Sequence, residues 1–131
     1  MSYKVFISHA AGDREVAKKI AKEVEKTGGR AFYDSRSVRR GDSLARTINE
    51  TLRKSDLFVA IVSKTSAGSA WLSWEVGAAV GLDKRILLIA NNVKPKELPP
   101  ALKSFLMVDA QQAGRYLKQL AADFNPERVA S

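Results

Sequence analysis

One run of the chain contains no polar position at all: Leu57-Phe-Val-Ala-Ile-Val62. An apolar run of this length without alternation fits a strand covered on both faces, as at the centre of a parallel sheet. Four further short runs read as strands: Lys4–Ser8, Arg30–Tyr33, Arg85–Ala90 and Phe105–Val108. The second of them is the less apolar and belongs nearer a sheet edge. Between these runs the apolar spacing lengthens to the helical period. Val16, Ile20 and Val24 recur with Ala17 and Ala21 beside them, predicting a helix from Asp13, as N-cap, to about Lys26. Gly28-Gly29 end it, because glycine accepts the left-handed conformation. Leu44, Ile48 and Leu52 mark a helix over 43–54, Leu72, Val76, Ala79 and Val80 one over 71–82, and Leu117, Leu120, Ala121 and Phe124 one over 111–124. In the third helix Gly77 and Gly81 cost helix stability, and close packing on the sheet is the reading that accounts for them.

Strand–helix alternation of this kind implies a parallel sheet with helices on both faces. The expected fold class is α/β, a flavodoxin-like three-layer sandwich with five parallel strands in the order 2-1-3-4-5. Residues 1–124 form a single domain, and 125–131 read as a flexible C-terminal tail.

Composition changes this picture only at the margins. The 131 residues suffice for a core without staples. Cysteine is absent, which excludes disulfides and thiolate chemistry. No stretch is apolar for long enough to span a bilayer, and the opening residues lack the pattern of a secretory signal, so the expected location is cytoplasmic. Lys and Arg number 22 against 14 acidic residues, a net charge of +8 that favours anionic partners. The charge is spread over several helices, with one local cluster at Arg36, Arg39 and Arg40, and neither an aromatic platform nor a recognition helix accompanies it. A nucleic-acid partner is therefore ranked last.

The chemistry is concentrated at the expected rim of the sheet. The loops after strands 1 and 3 carry no glycine-rich phosphate motif. Response-regulator receiver domains share the layout, yet they need acidic residues where this chain has Ser8-His9 and a phosphoacceptor Asp where it has Ser63-Lys64. A single His and no Cys leave no metal cluster, so no cofactor is expected. What remains is Ser63-Lys-Thr-Ser-Ala-Gly-Ser-Ala-Trp-Leu-Ser-Trp-Glu75, a polar loop after the central strand running into a helix start with Trp71, Trp74 and Glu75. A carboxylate at that rim, beside aromatic rings, is a catalytic candidate. A Glu in a first helical turn is also favoured by the helix dipole whatever its function, and both readings stand at this point.

Three segments together resemble one family. Val5-Phe-Ile-Ser-His-Ala-Ala-Gly-Asp13 looks like the opening strand and loop of bacterial Toll/interleukin-1 receptor (TIR) domains. Phe32-Tyr-Asp34 followed by Arg39-Arg-Gly-Asp42 is similar to their second strand and long BB loop, and Ser63 followed by Trp71-Leu-Ser-Trp-Glu75 is similar to their Ser…Trp-x-x-x-Glu motif. The resemblance implies one of two functions. In the NAD-cleaving branch the enzyme breaks the nicotinamide–ribose bond, releasing ADP-ribose or a cyclic isomer, in some members as a signal in antiphage defence. In the other branch the domain is a non-catalytic module for homotypic association. The Trp and Glu together favour the first. The resemblance then makes Glu75 catalytic and assigns Ser8, His9, Ala10, Asp34, Arg39 and Trp71 to NAD+ binding. It also implies self-association through the loop Asp34 to Asp42 and neighbouring helices, with a separate sensor or effector protein as a further partner.

Overall fold

The computed structural model describes residues 3–35, 50–64, 66 and 70–124, covering the backbone alone at 11, 33–35, 70, 71, 101 and 124. Five parallel strands form one sheet: β1 (Lys4–His9), β2 (Arg30–Ser35), β3 (Leu57–Val62), β4 (Arg85–Ala90) and β5 (Met107–Asp109), in the order β2-β1-β3-β4-β5. The helices are α1 (Arg14–Lys26), the helical residues 50–54 (α2), α3 (Ala70–Gly81) and α4 (Ala113–Phe124). The expected strand order is thus the observed one, with β2 at an edge. The expected helix over 43–54 is seen from residue 50, and its earlier part lies outside the described residues, as do most of the loop Asp34 to Asp42 and the tail 125–131.

The central strand explains the layering. All six side chains of β3 are fully buried. Leu57, Val59 and Ile61 join a core with Ala17, Ile20, Ala21 and Val24 of α1 and Leu117 and Ala121 of α4. Phe58, Ala60 and Val62 join a second core with Leu52 of α2 and Leu72, Val76 and Ala79 of α3. The period of two along the strand therefore feeds both faces. Each large apolar side chain so buried contributes about 1.5–3 kcal/mol.

The end of α1 shows why two glycines follow it. Gly28 has φ 93°, and its N–H bonds Glu25 O while that of Gly29 bonds Val24 O, the paired pattern of a Schellman stop. Gly29 is required by space: a Cβ there would lie 2.6 Å from the Tyr3 ring. Packing does not account for Gly77 and Gly81 in the same way. Both are exposed, and among the described residues a Cβ on either meets nothing beyond its own helix within 4 Å, so close approach to the sheet is not what keeps them. At the other edge β5 begins later than its apolar run suggests. Leu106 is half-exposed and contributes only its carbonyl, 2.9 Å from Leu88 N, before regular pairing starts at Met107.

Candidate active site

Apart from Ser55, which lies before β3, the buried polar residues among those described gather at the rim beyond the strand C-termini. Ser8 and Glu75 are both buried there, at 1% and 2% exposure. Ser8 lies near the end of β1, in backbone register with Ala60 of β3 on one side and Asp34 of β2 on the other. Alternation along β1 puts Ser8 with Phe6 on the α3 face, and its Oγ donates to Glu75 Oε1 at 2.5 Å. That length is typical of a hydroxyl bonded to a carboxylate.

Glu75 is not where a helix-start reading puts it. The helix begins at Ala70, so Glu75 is its sixth residue, in the second turn, and no acidic residue occupies the first. The dipole acts within the first turn and so does not account for a carboxylate here. Nor is Glu75 a surface residue. A buried carboxyl group is costly unless hydrogen-bonded, and Ser8 supplies one such bond.

A second polar cluster lies alongside. Asp13 occupies the position before α1 but makes no side-chain cap bond. Its carboxylate, 4% exposed, points instead to the sheet rim: Oδ2 accepts from Ser63 Oγ at 2.8 Å and Oδ1 from Asn91 Nδ2 at 3.0 Å. The Ser63 backbone N–H is capped by Ser66 Oγ at 2.8 Å, and Ser66 N–H bonds Ser63 O at 3.1 Å, closing a tight turn whose two serines are buried. Asn91 N–H bonds Val62 O at 2.8 Å. Sequence reasoning takes Asp13 for a helix cap and does not single out Asn91. The available signal was that each polar residue stands just beyond an apolar strand.

Of the residues assigned to NAD+ binding, the structure brings Ser8 directly to Glu75 and sets Asp34 beside Ser8 in register. Trp71 precedes Glu75 by one helical turn on α3. Ala10 opens the turn Ala11–Asp13, its carbonyl accepting from Asp13 N at 2.9 Å. His9 is buried at 1% exposure, and alternation aligns it with Val5 and Ile7 on the opposite side of β1 from Ser8. Arg39 lies outside the described residues.

With this geometry in hand, comparison with known proteins is decisive about kinship. The sequence profile described as TIR domain matches residues 5–122. The chain belongs to the TIR domain family. Over 102 residues it is 31% identical to the NAD(+) hydrolase TcpC of Escherichia coli O6:H1, covering 73% of this chain and 33% of that protein. Over 101 residues it is 30% identical to the 2' cyclic ADP-D-ribose synthase AbTIR of Acinetobacter baumannii, covering 73% of this chain and 38% of that one. The chain thus spans between about a third and two fifths of these relatives' length. In structure it is similar to the TIR domain of the Toll-related receptor TRR-2 from Hydra magnipapillata, with a TM-score of 0.67, 19% identity and coverage of 99% and 100% of the two chains. At that identity the likeness speaks for the fold alone.

Proposed function

We propose that this TIR domain cleaves NAD+ at the nicotinamide–ribose bond, releasing nicotinamide and either ADP-ribose or a cyclic isomer. The observation that carries the reading is the Glu75 carboxyl group, held by Ser8 in a buried position at the sheet rim, where neither helix dipole nor solvent exposure explains it. The activities for which TcpC and AbTIR are named support it.

One carboxylate suffices for this chemistry. Most glycosidases need a second one as acid, because their leaving group would otherwise depart as an alkoxide. Nicotinamide is bound as a cationic pyridinium. When the C1′–N bond breaks, both electrons go to the ring nitrogen and the ring leaves neutral, without a proton. The barrier is then the oxocarbenium-like ribose, and a fixed carboxylate aimed at that developing positive charge lowers it. Water attacking C1′ and losing a proton gives ADP-ribose; a nucleophile from the same molecule gives a cyclic product. Ser8 orients the Glu75 carboxylate, Trp71 borders the nicotinamide, Ala10 and Asp34 line the pocket and Arg39 reaches the pyrophosphate, while His9, buried on the opposite side of β1 from Ser8, backs the rim without touching substrate.

Activity in this reading depends on self-association, with a separate sensor protein as the trigger, and the product serves as a signal in bacterial antiphage defence. The outer face of α3 supports a second copy as partner. Trp74 and Val80 are 39% and 53% exposed, and Gly77 and Gly81 beside them leave open space. From Ala70 to Gly81 the only charged residue is the buried Glu75, so two chains of net charge +8 can meet there with little repulsion. An antiparallel two-fold pairing centred between Gly77 and Ala78 sets Trp74 of one copy against Gly81 of the other, making the face self-complementary.

The deciding experiment incubates concentrated protein with NAD+ and follows nicotinamide and the adenine-containing product by mass spectrometry. Nicotinamide release by the wild type and its loss in Glu75→Gln are expected. If neither protein releases nicotinamide under conditions that force association, the domain is the non-catalytic module.

A further inference from the structure

We propose that Asp13, Ser63 and Asn91 form a clasp that positions Glu75, with Asp13 and Asn91 as positioning residues outside the substrate pocket. The catalytic half of this inference rests on the reading of Glu75 as the NAD-cleaving group; the geometric half does not.

Three adjacent strand ends meet at one carboxylate. Asp13 comes after β1, Ser63 directly follows β3 and Asn91 directly follows β4, and these strands are neighbours in the order β1-β3-β4. Asp13 thus ties together three connections that would otherwise be free to shift. The segment running from β1 to α1 and the segment running from β3 into α3 are joined twice. The inner link is Ser8 to Glu75, and the outer link is Asp13 to Ser63. The outer link holds Ser63 where the connection to α3 begins. That connection starts with the turn closed by Ser66 and ends in the helix that carries Glu75.

The chemistry of the cluster suits a positioning role. Asp13 is buried among neutral donors, a hydroxyl and an amide, each aimed at a different carboxyl oxygen. Two bonds with fixed directions define the orientation of both partner segments more tightly than apolar packing does. The helix-cap role that would explain Asp13 locally is unused. A reacting carboxylate misplaced by an ångström loses a large share of its effect, so the entry to α3 is where such rigidity counts.

The test is an exchange of the two partners. Asn91→Asp sets a second carboxylate against Asp13, removes the amide donor, and introduces like-charge repulsion. The double variant Asp13→Asn with Asn91→Asp restores one carboxylate and one amide in reversed positions. Two readouts are taken at a temperature where circular dichroism shows all variants folded. In Asn91→Asp, hydrogen exchange of the backbone amides over 63–75 rises about tenfold or more, while that of α4 is unchanged. The kcat for nicotinamide release falls about 10- to 100-fold, with KM changed far less. Both effects are largely reversed in the double variant. The clasp is overturned if Asn91→Asp leaves exchange over 63–75 unaltered, if the double variant is no closer to wild type than the single one, or if only the thermal midpoint falls while kcat per folded molecule stays constant. Should the wild type release no nicotinamide, the catalytic reading fails and the exchange data alone decide the clasp.

Discussion

The hydroxyl of Ser8 and the carboxyl group of Glu75 are 2.5 Å apart across 67 positions of sequence, both buried. One stands near the end of a strand in the middle of the sheet, the other on the second turn of the helix that follows the neighbouring strand. A hydroxyl donating to a carboxylate in a dry setting is stronger than the same bond in water, and it fixes the direction of the charge. This pair is the natural place to begin testing the site.

Glu75→Gln keeps the side-chain volume and retains an oxygen that can accept from Ser8. The fold should survive, and thermal unfolding should show a modest shift. NAD+ cleavage should fall by about 10²–10³-fold, since an amide offers no charge to an oxocarbenium-like ribose. Glu75→Ala is different: it removes Ser8's acceptor inside the core and should destabilise the domain by about 1–3 kcal/mol as well. Nicotinamide release together with a denaturation curve distinguishes the two. Near-normal turnover in Glu75→Gln would remove Glu75 from the mechanism.

Ser8→Ala separates orientation from charge. The carboxylate remains but loses the bond that aims it. A loss of stability of about 1–2 kcal/mol is expected for a buried hydrogen bond to a carboxylate. The kcat should fall more than KM rises, because the bond acts on the reacting charge. A variant with unchanged kcat would assign Ser8 to folding alone.

How far these features were legible beforehand depends on their physics. The central place of β3 followed from Leu57–Val62, where no polar position interrupts the run, as fits a strand covered on both faces, and the strand–helix alternation around it supplied the layers and the expected order. Helix boundaries were less legible. Glu75 is the fifth residue from the expected start at Trp71 and the sixth from the observed start at Ala70, so it falls beyond the first turn from either, and the dipole reading did not fit it. Its burial could not be read locally, because it depends on Ser8 arriving from a distant strand. The same holds for Asp13, whose position signals a cap while its partners stand at the ends of β3 and β4. Gly77 and Gly81 were misread for another reason: glycine in a helix signals close approach but not by what, and here no other element among the described residues approaches within 4 Å of where a Cβ would sit.

That open face leads to a prediction about assembly. Val80 is half-exposed on a face of α3 without accessible charge. Val80→Glu should change monomer stability by less than about 0.5 kcal/mol, as an exposed substitution. It should nevertheless weaken self-association, because an isologous contact brings both introduced carboxylates into one interface. Sedimentation velocity over a concentration series reads this directly. If the wild type associates and Val80→Glu associates equally well, α3 is not the contact. If association falls but NAD+ cleavage per chain is unchanged, assembly through this face does not govern activity.

Tyr3 offers a pH-dependent test of the opposite end of the molecule. Its ring is buried under Gly29, and its hydroxyl is hydrogen-bonded to Thr27, whose Oγ1 in turn donates to Val24 O at 2.7 Å. Burial raises the phenol above its ordinary value of 10.0, with the Thr27 bond pulling weakly the other way. Below pH 10.0 the folded and unfolded chains both keep this proton, and the stabilising effect of the buried neutral phenol is fully present. As pH rises beyond that point the unfolded chain releases the proton first. Folding stability then falls, by up to about 1.4 kcal/mol per pH unit from this group, until the folded value is passed. Tyr3→Phe keeps the ring against Gly29 but has no proton to lose. It should be less stable than wild type by about 1 kcal/mol at neutral pH. Urea unfolding curves taken across the alkaline range should show the two proteins converging as the wild type loses its advantage. Parallel stability curves would mean that the Tyr3 proton is no harder to remove in the folded chain than in the unfolded one.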